Sequence, residues 1–432
     1  MTMMRLIARA PTMSAMLFLV AWLFTTTAWS SAEEPEKPKW QRGNTHTHTL
    51  WSDGDAPPET AIAWYVDHGY DFVVLSDHNI LQNGERWFDV SDDGRLTPAK
   101  VEAVETRFGA DFPETRDLEG QSQMRLRRLD ELKTMFDRPG EFVLIPGEEV
   151  TSSHRLAQIH INAINVDEVI PPQKSDSVQS TIQANLDAII AWGAANDRPV
   201  FAHLNHPNFR KSLSASNLAD MKGERFFEVY NGHRSVENER IGNRPSTEEM
   251  WDLALIARLA RGAGDGGLLY GIATDDAHDH YQADAVSVPG RGWVMVRTPD
   301  ADADEIVNAM RAGNFYASSG VELPDVRADH RRYAIDIAAE PGVTYFTEFI
   351  GAKVQDGDVA PTATVLAGTN TNPAVYEFQG DELYVRARVT SSRLHPRPYQ
   401  KGDPEMAWTQ PVLGQGGAKL KKPTSAAPIS AP

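Results

Sequence analysis

The residues best equipped for chemistry begin in the stretch Asn44-Thr-His-Thr-His-Thr-Leu-Trp-Ser-Asp-Gly54, which sets His46 and His48 two positions apart and Asp53 five further on. On an extended backbone alternate side chains share a face, so both imidazoles project to the same side. Two imidazoles on one strand make half of a site for a first-row divalent metal. Later segments offer the other half: Ser76-Asp77-His78, Pro146-Gly-Glu-Glu149, His160, His203, His206-Pro207 and Thr274-Asp275-Asp276-Ala-His278. Eleven of the thirteen histidines lie between 46 and 280, and nearly every candidate strand there ends in His, Asp or Glu. A lone histidine such as His68, His154, His330 or His395 reads as a surface or core residue. A series at successive strand exits reads as one site, because the strand C-termini of a β/α barrel converge on a single face.

The elements that must position these residues follow a β/α grammar. Short apolar strands are expected at 72–75, 142–145, 158–163, 199–204, 226–231 and 268–273. Helical stretches are expected at 57–68, 177–192 and 246–262, the last opened by a Ser246/Glu249 capping box. Residues 79–140 interrupt the pattern with polar, charged sequence and an expected helix at 123–136. Because this insertion leaves from the end of a site-bearing strand, it is expected to cover the site as a lid or specificity element. Its Arg125, Arg127 and Arg128 face either a substrate anion or solvent. The loop after Asn231 is the other expected source of specificity. Past residue 285 a strand at 292–297 and a helix at 303–313 close the pattern. Short alternating segments then point to a β-rich domain at 320–412, and 413–432 reads as a disordered tail.

The chain has 432 residues, 41% of them apolar, enough for a large core and a second domain. A net charge of −18 argues against a nucleic-acid duplex or an anionic membrane surface as partner. There is no cysteine, which excludes disulfides and thiolate metal sites; any metal must be held by His, Asp and Glu. Residues 1–32 have Arg5 and Arg9, an apolar run over 13–28, then Ser30-Ser31-Ala32, the pattern of a cleavable secretory signal peptide. The apolar run is shorter than the ~20 residues a spanning helix needs. The expectation is therefore an exported protein, periplasmic or secreted, with no membrane span after cleavage; a retained anchor is the alternative. Residues 33–43 read as a polar linker.

The motifs His46-Thr-His48 with Ser52-Asp53-Gly54, Ser76-Asp77-His78, Pro146-Gly-Glu-Glu149, His206-Pro207 and Asp276-Ala-His278 resemble, in order, those of the PHP (polymerase and histidinol phosphatase) metallohydrolases. Gly147-Glu-Glu-Val-Thr151, His160-Ile-Asn162, Glu228-Val-Tyr-Asn231 and Thr274-Asp-Asp-Ala-His278 look most like the branch containing carbaryl-type carbamate hydrolases. The resemblance covers about 44–280, and the β-rich part is similar to an extension common in that branch. It implies an α/β fold, a distorted (β/α)7 PHP barrel over 44–319 with a C-terminal β-rich domain. It also implies two or three divalent ions, zinc, manganese or iron. By family pattern His46, His48 and Asp276 hold one ion, Glu149 bridges to a second held by His160 and His206, and Asp53, His78 and His278 form a third site. Glu148 is the alternative to Glu149, although the Gly-x-Glu spacing favours Glu149. His203 is likewise the alternative to His206, which the His-Pro pair favours. Asp77, Asp275 and His203 are expected behind the ligands, orienting them.

The implied chemistry is hydrolysis of a small-molecule ester by a metal-bridging hydroxide, without a covalent intermediate. Glu149 and Asp276 are central to it, and His233 or His280 is the candidate to protonate the leaving group. A phosphomonoester or phosphodiester hydrolase ranks first and a carbamate or aryl ester hydrolase second. A non-catalytic exported protein that binds metal or glycan is a third reading, from a different class.

Overall fold

Seven strands wind in sequence order around the site: Lys39–Asn44, Phe72–Leu75, Val143–His154, Ala157–Ile164, Phe201–Leu204, Phe226–Asn231 and Tyr270–Thr274. The structure is a computed structural model that describes residues 38–262 and 267–421. Neighbouring strands pair in parallel except for Ala157–Ile164, which runs antiparallel to both of its neighbours as the return arm of a hairpin. The first and seventh strands share no ladder. One bridge beyond their ends, Thr47 opposite Ala277 with His48 N–H donating to Ala277 O at 2.8 Å, draws them together. The fold is thus mixed α/β with a curled, largely parallel sheet. It departs from a regular (β/α)7 repeat at the antiparallel hairpin and at the single-bridge junction.

Period-two alternation explains how this sheet carries a polar site above an apolar floor. Phe72, Ile145, Ile164, Phe201, Phe226 and Tyr270 form one buried cluster, packed against Ile306, Val307 and Met310 of the helix Ala303–Arg311. Two or four residues further along the same faces stand Glu149, Asn162, His203 and Glu228, all fully buried. Gly147 lies between these layers. A Cβ there would fall 2.6 Å from Val74 Cγ1 and 2.8 Å from Ala163 O, so only glycine lets the strands approach two residues before Glu149.

Helices cover the outer faces as expected. Pro58–Asp67 follows the first strand, and Val178–Ala195 packs Ile182, Leu186 and Ile189 against the sheet. Thr247–Ala260 has the Ser246/Glu249 capping box that its sequence announces.

Four expectations are corrected. The linker reading of 33–43 fails from Lys39 onward, because Lys39–Asn44 is the first strand, paired with Trp293–Thr298. In the insertion, the first three residues of the expected 123–136 helix belong to a strand. Gln121–Arg125 pairs with Trp87–Asp89 and Thr115–Leu118, and the helix spans only Leu129–Phe136. The β-rich part, Asp325 onward, is joined to the rest by hydrogen-bonded ladders. The sheet continues through Trp293–Thr298, Phe315–Ser318 and Pro404–Thr409 into Glu382–Leu394 and Tyr345–Gln355. A second, three-stranded sheet shares a core with these strands through Tyr333, Ile335, Phe349, Tyr376 and Val385. Finally, Val412–Leu413 pairs with Tyr384 and Val385 and Gln415–Lys419 forms a 3₁₀ turn, so order extends into the expected tail. Residues 1–37 and 422–432, including the expected signal peptide and the rest of the tail, lie outside the described residues. Among the described residues no helix is long and apolar enough to cross a membrane.

Candidate metal centre

The strands and the loops that leave them deliver their side chains to one place. His46 and His48 follow the first strand, and His78 follows the second, bridged to Glu149 on the third. His160 comes from the hairpin's return arm, while His206, Asp276 and His278 come from the loops after Phe201–Leu204 and Tyr270–Thr274. His206 and Asp276 both have positive φ, 25° and 50°. For residues with a Cβ that backbone is strained, and here it turns two candidate ligands inward.

The ring and carboxylate atoms meet at close range. His46 Nε2 lies 3.1 Å from His48 Nε2, 3.2 Å from Asp276 Oδ1 and 3.5 Å from Glu149 Oε2. Glu149 Oε2 is also 3.4 Å from His48 Nε2 and 2.8 Å from His78 Nδ1, and Glu149 Oε1 lies 3.0 Å from His160 Nδ1 and 3.5 Å from His206 Nε2. Asp53 joins His48, His78 and His278 at 3.3–3.5 Å. Four overlapping groups result: His48/Asp53/His78/His278, His46/His48/Asp276, His46/Glu149/His206 and His78/Glu149/His160.

This set of atoms fits cations. Ligand atoms about 2.1 Å from a tetrahedral ion lie about 3.4 Å apart, and most of these separations fall close to that value. Glu149 Oε2 has three imidazole nitrogens around it yet makes no properly directed hydrogen bond, and His160 Nε2 is buried without a partner. Glu149 Oε2 and His160 Nε2 are thus buried polar atoms that a cation could satisfy.

The electrostatics agree. Burial works against charging His46, but Asp276, Glu228 and Glu149 outweigh it and hold its pKa well above the ordinary histidine value. Burial likewise opposes a charged His78, and Glu149 and Asp53 raise it to about 11. Conversely, burial would raise the carboxyl of Glu149, yet His78, His160 and His46 pull it well below its usual range. The carboxylates demand positive charge at the centre, which protons or metal cations can supply.

The members of the two open pairs are placed differently. Glu149 faces the cluster, whereas Glu148 points away and accepts the Ile170 N–H at 2.5 Å. His206 stands beside Glu149, whereas His203 lies deeper and fully buried, its nearest carboxylate Glu228 at 3.9 Å. Asp77 accepts from Thr49 N–H, Thr49 Oγ1, Ser52 Oγ and Gln82 Nε2, and so shapes the loop that carries His48 and Asp53. Asp275 accepts from Tyr65 and from the Arg291 and Gly292 N–H groups, bracing the turn at Asp276.

A cavity of about 140 Å³ opens onto the cluster, lined by the ligand candidates other than His46 and His48, together with His233, Phe209 and Val236. The loop after Asn231 therefore reaches the site. His280 does not; it is buried beside Asp55, 3.7 Å away. The insertion contributes no side chain to this cavity, against its expected role as a cover. Its Arg125, Arg127 and Arg128 are occupied with Glu131, Glu114 and Asp130 rather than facing a substrate.

Glu228 was visible in the sequence only as part of a motif, without a role. It is fully buried and accepts four hydrogen bonds: Oε1 from His46 Nδ1 (2.7 Å) and Thr274 Oγ1 (2.8 Å), Oε2 from the His206 N–H (2.7 Å) and Asn231 Nδ2 (2.8 Å). Burial opposes its ionisation, but His46 and His206 bring its pKa down to about 2. An ionised carboxylate only accepts, so His46 carries a proton on Nδ1, which leaves Nε2 as the nitrogen that can give its lone pair to a cation in place of a proton. Its position on an interior-facing strand is the signal that singles it out.

No family model and no curated protein matches this chain. Among solved structures it is similar to a two-domain protein from Bacteroides vulgatus assigned a PHP-like metal-dependent phosphoesterase, at 14% identity and a TM-score of 0.40, over 88% of this chain and 97% of that one. It is also similar to a protein from Bifidobacterium adolescentis assigned as a metal-dependent phosphoesterase (15% identity, TM-score 0.29, 56% and 89% covered). A third similar structure is an amidohydrolase from Chromobacterium violaceum with bound sulfate and no metal (12% identity, TM-score 0.28, 55% and 88% covered). The first of these shares the family description that the motifs resemble. With TM-scores below 0.5, none of them decides what this chain does.

Proposed function

We propose that the chain is a metal-dependent hydrolase of small esters, phosphoesters first. The observation that carries this reading is the sharing of Glu149 among overlapping imidazole and carboxylate groups at ligand spacing, beneath an open cavity. His46, His48, Asp276, Glu149, His160 and His206 would hold two cations, and Asp53, His78 and His278 a third. Divalent cations bound there supply Lewis acidity and lower the pKa of water toward neutrality.

The chain's own residues then have defined tasks. Glu228 fixes the His46 tautomer, and Asn205 Nδ2 holds Glu149 Oε1 at 2.8 Å. His233 accepts the Ser235 N–H on Nδ1 at 3.1 Å. Burial lowers its pKa, so the neutral ring carries its proton on Nε2. In that state His233 donates a hydrogen bond to a substrate oxygen rather than delivering a full proton.

A second reading, hydrolysis of a carbamate or aryl ester, is favoured by the cavity lining, which holds Phe209 and Val236 but no lysine or arginine among the described residues. Metal-loaded protein assayed on p-nitrophenyl phosphate, bis-p-nitrophenyl phosphate and a naphthyl carbamate separates the two. Turnover of either phosphate supports the first ranking, and turnover of the carbamate alone reverses it. The proposal includes export, supported by the residue pattern of 1–32 and tested by sequencing the N-terminus of the mature chain.

A further inference from the structure

The geometry points to Lys100 and Arg95, both in the 79–140 insertion, as positioning residues for the Asp53 cluster: the insertion clamps a metal-ligand loop instead of covering the cavity. The inference rests on the hydrolase reading and adds to it a role for this chain's insertion.

Asp53 is the least secured of the candidate ligands. Its side chain is 55% exposed, and it sits in a tight turn after the first strand, where its place depends on how residues 52–55 are held. Lys100 Nζ uses all three of its N–H donors there. It reaches Asp55 O (2.7 Å) and Asp55 Oδ2 (3.1 Å), and it ties down Arg95 O (2.8 Å). Arg95 Nη1 then donates to Ser52 O (2.7 Å) and Gly54 O (3.0 Å), the carbonyls on either side of Asp53.

Asp55 carries the clamp across to the other half of the cluster. Its N–H donates to His278 O at 2.8 Å, and its Oδ1 accepts the His280 N–H at 2.9 Å. Asp53 and His278, two of the four members of the group, are thereby referred to the same two cations on the insertion. Packing supports the arrangement: Leu50 and Trp51 share a small core with Leu96, Met124 and Leu126, and Trp51 Nε1 donates to Arg127 O at 3.0 Å. Lysine and arginine suit this task because carbonyl oxygens crowded at a tight turn need strong donors without an acceptor of their own.

Metal-stripped full-length protein titrated with Mn²⁺ by calorimetry tests the clamp. Removing groups that orient metal ligands costs about 10–100-fold in affinity. Lys100→Met and Arg95→Gln are each expected to weaken one binding step about tenfold while the tighter steps stay at wild-type values. Arg95→Lys is expected to restore much of that step, and Arg116→Gln, an exposed change elsewhere in the insertion, to leave all steps alone. Wild-type affinity at every step in a chain carrying both Lys100→Met and Arg95→Gln overturns the inference, as does an equal weakening of all steps. Because Arg95 is exposed, Arg95→Gln keeps the test sound if Lys100→Met fails to fold. A wild-type chain that binds two ions, with Asp53→Asn unchanged, sinks the clamp and leaves the hydrolase reading standing. A wild-type chain that binds none sinks both.

Discussion

Replacing Glu228 by glutamine probes how the site prepares His46 without touching a candidate ligand. The two side chains have the same shape, but one of the two oxygens, each of which accepts two hydrogen bonds, becomes an NH₂ group. Wherever that amide points, two buried donors lose their acceptor. At about 1–3 kcal/mol for each buried group left unpaired, the expected loss of stability is about 2–6 kcal/mol. If the NH₂ turns to His46, the ring relieves the clash by moving its proton from Nδ1 to Nε2. That tautomer aims an N–H at the position where Nε2 should offer a cation its lone pair. If the NH₂ turns to His206 N–H and Asn231, His46 keeps its tautomer but faces a neutral acceptor and becomes a weaker ligand. Either way metal affinity is expected to fall about 10–100-fold. The assay is chelator competition on purified Glu228→Gln, with thermal unfolding of the metal-free protein recorded beside it. Wild-type affinity together with wild-type stability would refute the argument that Glu228 sets the state of His46.

Other changes follow from the same geometry. His48→Ala or Asp276→Asn is expected to lower esterase activity at least about a hundredfold in a chain that stays folded; full activity with full metal content would count against the ligand assignment. Glu148→Gln keeps an acceptor for the Ile170 N–H but removes an acid whose pKa burial lifts to about 7. The raised value means that ionisation costs the folded state from about pH 4.5 upward and fully above about pH 7, by about 3 kcal/mol. Denaturant unfolding should therefore show the variant stabilised at pH 8 and level with the wild type near pH 4; equal stability at pH 8 would sink this. Gly147→Ala is expected to destabilise the chain by about 1–3 kcal/mol, read from the same unfolding curves, because its Cβ meets Val74 and Ala163 O.

Much of the site was legible because most candidate ligands stand in the loops just past a strand, which show in sequence as an apolar run followed by His, Asp or Glu; Glu149 and His160 lie inside Val143–His154 and Ala157–Ile164. The choice between Glu148 and Glu149 turned on strand parity, since interior faces repeat every second residue and Ile145, Gly147 and Glu149 share one. Glu228 obeys the same parity from Phe226, but its role depends on His46, 182 positions away, and only the closed sheet brings them together. The insertion is less legible. Gln121–Arg125 has the polar composition of a solvated helix and is a strand because Trp87–Asp89 and Thr115–Leu118 flank it. Its arginines found acids inside the insertion, and the contacts of Lys100 and Arg95 with the Asp53 turn join segments more than forty residues apart. Such long-range pairings have no local signature.

The central claim is that these imidazoles and carboxylates bind divalent cations at shared points. Crystals grown with Mn²⁺ or Zn²⁺ and measured at the absorption edge of the metal test it directly. The expected result is at least two anomalous peaks, one within bonding distance of His46, His48 and Asp276 and one beside Glu149, His160 and His206. Crystals saturated with either metal and showing no peak within reach of His46 and Glu149 would contradict it.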